Sequence, residues 1–184
     1  MEFLDKVLVR NILERAHQYP WKYQDIGLLS LRLDEQRNYR LHFWAPDRCV
    51  GTAPIHDHPF DFVSRIIVGE MTNARYVEDP SGANYVRERY SPADEESRTT
   101  DHVQLTSEVE TFKEGDEYSQ TADALHDSHQ LAGTVTVIHW ETFYEVAELT
   151  VCRLDEKADW VSGTSRAATP AEVTDITKQS LTWF

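Results

Sequence analysis

The residues of this chain best suited to chemistry are its histidines, eight in all. His56 and His58 form a His-x-His pair. In an extended chain, residues two apart point to the same face, so the two imidazoles can bind one metal ion side by side. The pair sits in a definite frame of spacings. Three residues separate His58 from Phe62, six separate Phe62 from Gly69, and ten separate Gly115 from His126. Arg40 and His42 alternate with Leu41 and Phe43 and so occupy the other face of an extended run. If that face lines a cavity, Arg40 can hold a substrate carboxylate in bidentate fashion. The alternative is an exposed cationic strand face shared with Arg32. Asp57 points opposite to the two histidines. Nothing in the chain has the form of a phosphate-binding glycine loop, a Ser-His-Asp signature, a zinc ribbon or a dinucleotide fingerprint.

These side chains need a scaffold, and the patterning predicts a mainly β one. Leu29, Leu31 and Leu33 alternate with Ser30 and Arg32, and Tyr39, Leu41 and Phe43 with Arg40, His42 and Trp44. With the polar connection Asp34 to Asn38 between them, the two runs read as a hairpin. Further strands are expected at about 61–68, 71–77, 84–90, 103–106, 108–113, 133–140 and 146–153. Turns are expected at Asp79-Pro80-Ser81-Gly82, Ser91-Pro92-Ala93-Asp94, Glu114-Gly115-Asp116 and Ala132-Gly133. The charged stretch Ser91 to Thr100 reads as an exposed loop. Many short strands with regular turns suggest a sandwich or small barrel. A helix is expected over 1–20, with Phe3, Leu4, Val7, Leu8, Ile12 and Leu13 as its apolar face and Pro20 ending it. A second is expected over 169–184, opened by the capping box Thr169-Pro170-Ala171-Glu172 and burying Val173, Ile176 and Leu181. The expectation is a single domain over 1–184, with the barrel in 27–154 and both helices packed outside it.

The histidine and glycine frame resembles the two motifs of the cupin superfamily. The first motif runs G-x5-H-x-H-x3/4-E-x6-G, and His56, His58 and Gly69 fall in register with it. The second runs G-x5-P-x-G-x2-H-x3-N, and Gly115 and His126 fall in register with that. The resemblance implies a double-stranded β-helix barrel. It also implies one divalent metal ion held by His56, His58 and His126. The chain departs from the motifs at several places. Phe62 stands where the glutamate ligand is expected, Thr121 for the proline, Asp123 for the second glycine and Gln130 for the asparagine, and the opening glycine is one place off at Gly51. The site is therefore expected to hold three histidines and no carboxylate, as in the thiol dioxygenases, which this chain resembles in its ligand set. A neutral three-histidine face suits Fe(II) first, with Zn, Ni, Mn or Cu as alternatives. Asp61, beside Phe62, is the additional candidate ligand, with orientation of a histidine N–H as its other role.

The resemblance also gives roles to other residues. Phe62 and Ser64 share strand parity and are expected to face inward beside the metal, as substrate contacts together with Arg40 and His42. Tyr118, close after Gly115, is expected to reach the site with its phenol. His139 lies on a late strand that faces the metal in this fold, which makes it a candidate acid or base or else a hydrogen-bonded core histidine. His129 is expected at the surface. The Ser-x-His-x-Tyr signature of the thiol dioxygenases corresponds to Thr136-x-Ile138-x-Trp140 here, which weighs against a thiol substrate.

Composition sets the outer limits. At 184 residues the chain can bury a core without disulfides or a structural metal. Asp and Glu number 32 against 18 Lys and Arg, a net charge of −14. Such a surface repels phosphate backbones and anionic lipid, so neither nucleic acid nor membrane is expected as a partner. There is no apolar run of bilayer length and no leader pattern at Met1 to Lys6. Cys49 and Cys152 read as two free thiols of a cytoplasmic protein. The resulting reading is a mononuclear metal-dependent enzyme, a non-haem Fe(II) dioxygenase acting on a small anionic molecule without 2-oxoglutarate. A redox-neutral lyase or isomerase and a non-catalytic small-molecule binder are the alternatives. Resemblance to cupins makes a homodimer the expected assembly.

Overall fold

The computed structural model describes residues 5–24, 27–34, 39–44, 54–91, 94–131, 133–145, 148–154 and 165–184. Phe3, Leu4, Cys49, Gly51, Pro92, Ala93, Ala132, Trp160 and the 35–38 connection lie outside them.

Twelve strands build two antiparallel sheets among the described residues. They are β1 (Lys22–Gln24), β2 (Leu28–Asp34), β3 (Tyr39–Trp44), β4 (Ile55–His56), β5 (Phe60–Val68), β6 (Glu70–Ser91), β7 (Asp94–Lys113), β8 (Glu117–Gln120), β9 (Leu125–Gln130), β10 (Val135–Phe143), β11 (Leu149–Arg153) and β12 (Ser165–Ala167). One sheet has the order β12-β1-β2-β3-β10-β5-β8 and the other β11-β4-β9-β6-β7, with β11 also pairing with β6. The expected hairpin forms, with Leu31 opposite Leu41. Strands β1 and β12, which flank the anticipated barrel range, pair with each other and extend its larger sheet.

The chain crosses between the sheets at glycines. Gly69 joins β5 to β6 at φ +89°, a conformation that costs glycine little. A Cβ there would meet Thr134 Oγ1 at 2.4 Å.

Each face of the larger sheet is covered. Leu29, Leu31, Leu41, Phe43, Val135 and Val137 pack outward against α1 (Lys6–Glu14) and α2 (Pro170–Ser180). The alternate residues of β3 and β10, among them Arg40, His42, Trp44, Thr136, Ile138 and Trp140, face the smaller sheet. The capping box of α2 forms as expected, and Val173 and Ile176 are buried. The face of α1 is shifted, however. Val9, Ile12 and Leu13, followed by Ala16, are buried, whereas Val7 is 68% and Leu8 45% exposed. Both stretches satisfy a helical period, and docking against the sheet selects the stripe three and four residues apart that starts at Val9.

The long hairpin β6–β7 differs from expectation. The segments 71–77 and 84–90 belong to one strand, and 94–113 to its partner. The Asp79-Pro80-Ser81-Gly82 signal is a bulge, since Glu78 and Ala83 both pair with Leu105. The Asp79 carboxylate accepts from the Ser81 backbone N–H and hydroxyl, so the turn chemistry is satisfied locally while the strand continues. The stretch expected as an exposed loop is largely strand, with Arg98 opposite Tyr90 and Thr100 opposite Glu88.

Candidate metal centre

The histidine cluster is assembled from two short strands. His56 on β4 lies directly opposite His126 on β9, which places both rings on one face. The segment after β4 is pinned by its backbone. The N–H of Asp57 donates to Thr150, the N–H of His58 donates to Ala122, and the Asp57 carboxylate accepts from Thr150 N–H. This fixes His58 on the same side as His56. The three residues each offer one ring nitrogen, all within 4.8 Å of one another. Nitrogens bound to one ion at about 2 Å stand about 3 to 3.5 Å apart, so a pair at the 4.8 Å limit would close by about 1.5 Å.

The donor set fits a metal. His126 is 4% exposed, and its Nδ1–H donates to Asn73 Oδ1 at 2.8 Å. The Nδ1–H of His56 donates to the Pro54 carbonyl at 2.8 Å. Each bond leaves Nε2 as the free nitrogen of its ring. The Nε2 atoms of His58 and His126 lie 3.0 Å apart. Burial lowers the pKa of all three rings, that of His126 to about 3, and their mutual repulsion adds to this for His58 and His126. They are neutral, with lone pairs available at ordinary pH.

The cluster opens into a cavity of about 330 Å³ between the two sheets. Phe62 is buried and faces it, its ring 5.4 Å from that of His58 and 6.0 Å from that of His126. Phe60 stacks on His58 at 4.9 Å and meets Trp140 at 5.2 Å. Ser64 and Tyr118 are cross-strand partners on the same wall, and burial pushes the Tyr118 phenol up to about 12. Arg40 and His42 also line the cavity. The Arg40 guanidinium sits 4.2 Å from the centre of the Trp140 ring, and burial followed by repulsion from Arg32 lowers its pKa to about 10. It stays charged. His42 is 7% exposed and neutral, its pKa depressed by burial, and neither ring nitrogen has a hydrogen-bond partner.

Two expected residues stand elsewhere. Asp61 is not part of the cluster. Its carboxylate accepts from Ala122 N–H at 2.8 Å and from the Tyr144 hydroxyl at 2.7 Å, on the other side of β5 from Phe62. Strand alternation turns it outward, and these two donors hold it there. His139 faces away from the cavity and stacks on Tyr39 at 4.6 Å, because Thr136, Ile138 and Trp140 take the inward positions of β10. His129 is exposed and lies 3.9 Å from Asp127. Asn73 was not singled out from the sequence. An amide in the strand run Met71 to Tyr76 was the available signal, and its partner His126 lies 53 residues away.

No family model and no curated protein matches the chain. Among solved structures it is similar to an oxalate decarboxylase variant from Bacillus subtilis, at 13% identity and TM-score 0.40, over 68% of this chain and 30% of that one. The chain thus spans about a third of that decarboxylase. It is also similar to the DMSP lyase DddQ from Ruegeria pomeroyi, at 12% identity and TM-score 0.42, over 80% and 68% of the two chains. A cupin-like protein from Thermotoga maritima matches at 12% identity and TM-score 0.28, over 86% and 89%. Fold and site together define a mainly β protein of two antiparallel sheets with a three-histidine cluster, able to hold a metal ion, between them. No helix among the described residues is long and apolar enough to cross a membrane.

Proposed function

We propose that the protein is a mononuclear metal-dependent enzyme acting on a small anionic molecule, and that with Fe(II) it is a dioxygenase independent of 2-oxoglutarate. The observation that carries this reading is the convergence of three neutral imidazoles on one point of an aromatic-lined cavity. A divalent ion held there supplies Lewis acidity and, as Fe(II), open positions for a chelating substrate and dioxygen. The protein contributes the rest. Three neutral ligands leave the ion's charge uncancelled, which favours an anionic group at its open face. Arg40, held against Trp140, is placed to grip the same molecule, and His42 offers a neutral N–H beside it. Phe60 and Phe62 keep water from the ligands.

Tyr118 favours a second reading, a redox-neutral lyase or isomerase. Its phenol lines the same cavity and stays protonated at ordinary pH, as a proton donor requires. An oxygen electrode with Fe(II)-loaded protein under reducing conditions, run against small acids, thiols and amines, separates the two. Substrate-dependent oxygen uptake that is lost in His126→Ala supports the dioxygenase. Metal-dependent turnover under strict anaerobiosis refutes it and supports the redox-neutral reading.

A further inference from the structure

Strand β3 turns three successive side chains, Arg40, His42 and Trp44, into the cavity that holds the histidine cluster. Arg40 has no carboxylate partner among the described residues. His42 and Trp44 are buried, and their rings meet edge to face at 6.1 Å. Neither nitrogen of the imidazole, nor the N–H of the indole, has a hydrogen-bond partner among the described residues. Hydroxyls are at hand on both sides. Ser30 on β2 and Thr136 on β10 are the cross-strand partners of His42, and both are buried with it. Neither bonds the ring. A core imidazole is ordinarily satisfied by such neighbours, because a buried polar group left unpaired destabilises the fold. The wall opposite carries the cluster. Burial first, and then repulsion from neighbours that include His42 and Arg40, lowers the pKa of His58, so the two walls lie within electrostatic reach of each other. A neutral imidazole has one donor and one acceptor, and an indole has one donor. A carboxylate or carbonyl oxygen serves only the donors. A hydroxyl serves either ring nitrogen in either tautomer.

We propose that the substrate is a hydroxylated carboxylic acid whose hydroxyl hydrogen-bonds His42. Its carboxylate lies at the histidine cluster with Arg40 beside it, and Trp44 offers the hydroxyl oxygen a second donor. The inference rests on the reading of His56, His58 and His126 as a metal centre, which anchors the carboxylate. Successive inward residues of a strand stand about 6.5 Å apart. A hydroxyl at His42 therefore belongs several carbons from a carboxylate beside Arg40, not on the adjoining carbon. This separates the contact from chelation of the ion by a 2-hydroxy acid. His42 is then a specificity residue. A site built to bond a hydroxyl rejects the analogue that lacks one, since its own buried groups stay unpaired. In the free protein the unpaired ring is a standing loss of stability, which a purely structural histidine would not carry.

The experiment has two arms, and both use His42→Leu and His42→Met, which replace the ring by apolar side chains of similar size. In urea unfolding of the metal-free, ligand-free protein, the midpoint of at least one variant should equal or exceed that of the parent, because an unpaired polar group has been removed. A lowered midpoint in both variants, or failure of both to fold, makes His42 a structural residue and overturns the inference. The second arm is calorimetric titration of Zn(II)-loaded protein, in which dioxygen chemistry plays no part. The probes are pentanoate and its 2-, 3-, 4- and 5-hydroxy derivatives. One of the 3-, 4- and 5-hydroxy acids should bind at least about tenfold tighter than pentanoate. That advantage should disappear in the folded His42 variants, while their affinity for pentanoate is kept. No advantage for any of the three, or one that survives in the variants, overturns the inference, and Zn(II)-dependent binding of pentanoate then leaves the metal centre in place. The failure of the metal centre has a different pattern. Binding of pentanoate that is equal in metal-free and Zn(II)-loaded protein removes both readings together.

Discussion

Replacing Asn73 by alanine should weaken metal binding without touching a ligand. Asn73 is 1% exposed, and its Oδ1 holds the Nδ1–H of His126 at 2.8 Å. Without that acceptor, His126 is free to take the other tautomer and place its N–H on Nε2. The Nε2 of His58 lies 3.0 Å away and would accept it, so the cluster would satisfy itself by a hydrogen bond instead of presenting two lone pairs. Loss of a partner that orients a ligating histidine costs about 10- to 100-fold in metal affinity. That is about 1.4 to 2.7 kcal/mol. The metal-free protein should also lose about 0.5 to 1.5 kcal/mol of stability, because the buried Asn73–His126 hydrogen bond is removed. Competition of Zn(II) between the protein and a chromophoric chelator measures the first quantity, and urea unfolding of the metal-free protein the second. Asn73→Asp, which keeps an acceptor in place, should hold affinity near that of the parent. Folded Asn73→Ala protein with unchanged metal affinity would refute the tautomer argument.

Three other outcomes follow from the same structure. Alanine at His56, His58 or His126 should each cut metal occupancy sharply, as read by elemental analysis, with far-UV circular dichroism unchanged; full occupancy in all three would remove the metal assignment. Gly69→Ala should destabilise by about 1 to 3 kcal/mol in urea unfolding, since φ +89° strains an alanine and its Cβ would press on Thr134. Glu172 pairs with Arg166 at 2.9 and 2.5 Å, and this ion pair first, with the Thr169 hydrogen bonds, holds its carboxyl down to about 2. A depressed carboxyl stabilises the fold above its unfolded value and loses that contribution as pH falls from about 4.5 towards 2. Glu172→Gln should therefore flatten the acid limb of a stability profile over that window, and an unaltered limb would count against the pair.

What could be read from residue order alone divides along a physical line. Local chemistry announces itself. The His56-x-His58 spacing, the Thr169 capping box and the alternation through Leu31 and Leu41 all operate within a few residues, and each forms as the pattern says. The features that escaped depend on distant partners. Val7 and Leu8 satisfy a helical period as well as Val9 and Ile12 do, and only the sheet beneath decides between them. Asp79 to Gly82 carries every mark of a turn, yet β7 runs past it and holds the strand together. β4 is two residues long, too short to show any period, although it carries His56. The outward orientation of Asp61 follows from strand parity, but the donors that hold it come from Ala122 and Tyr144. Asn73 becomes meaningful only beside His126.

His58 and His126, whose Nε2 atoms lie 3.0 Å apart, are separated by 68 residues of chain. Bringing such distant points together has an entropy cost that grows as about (3/2)RT times the logarithm of the loop length. Most of the intervening chain is the β6–β7 hairpin, whose strands zip from their own connection outward and shorten the effective loop before the histidines meet. β9 then aligns on β6 and carries His126 with it. On this loop-length argument the cluster should be completed after the hairpin. A metal ion bound there would act as a clasp on a contact already made: it should slow unfolding and have little influence on the rate at which the chain first collapses.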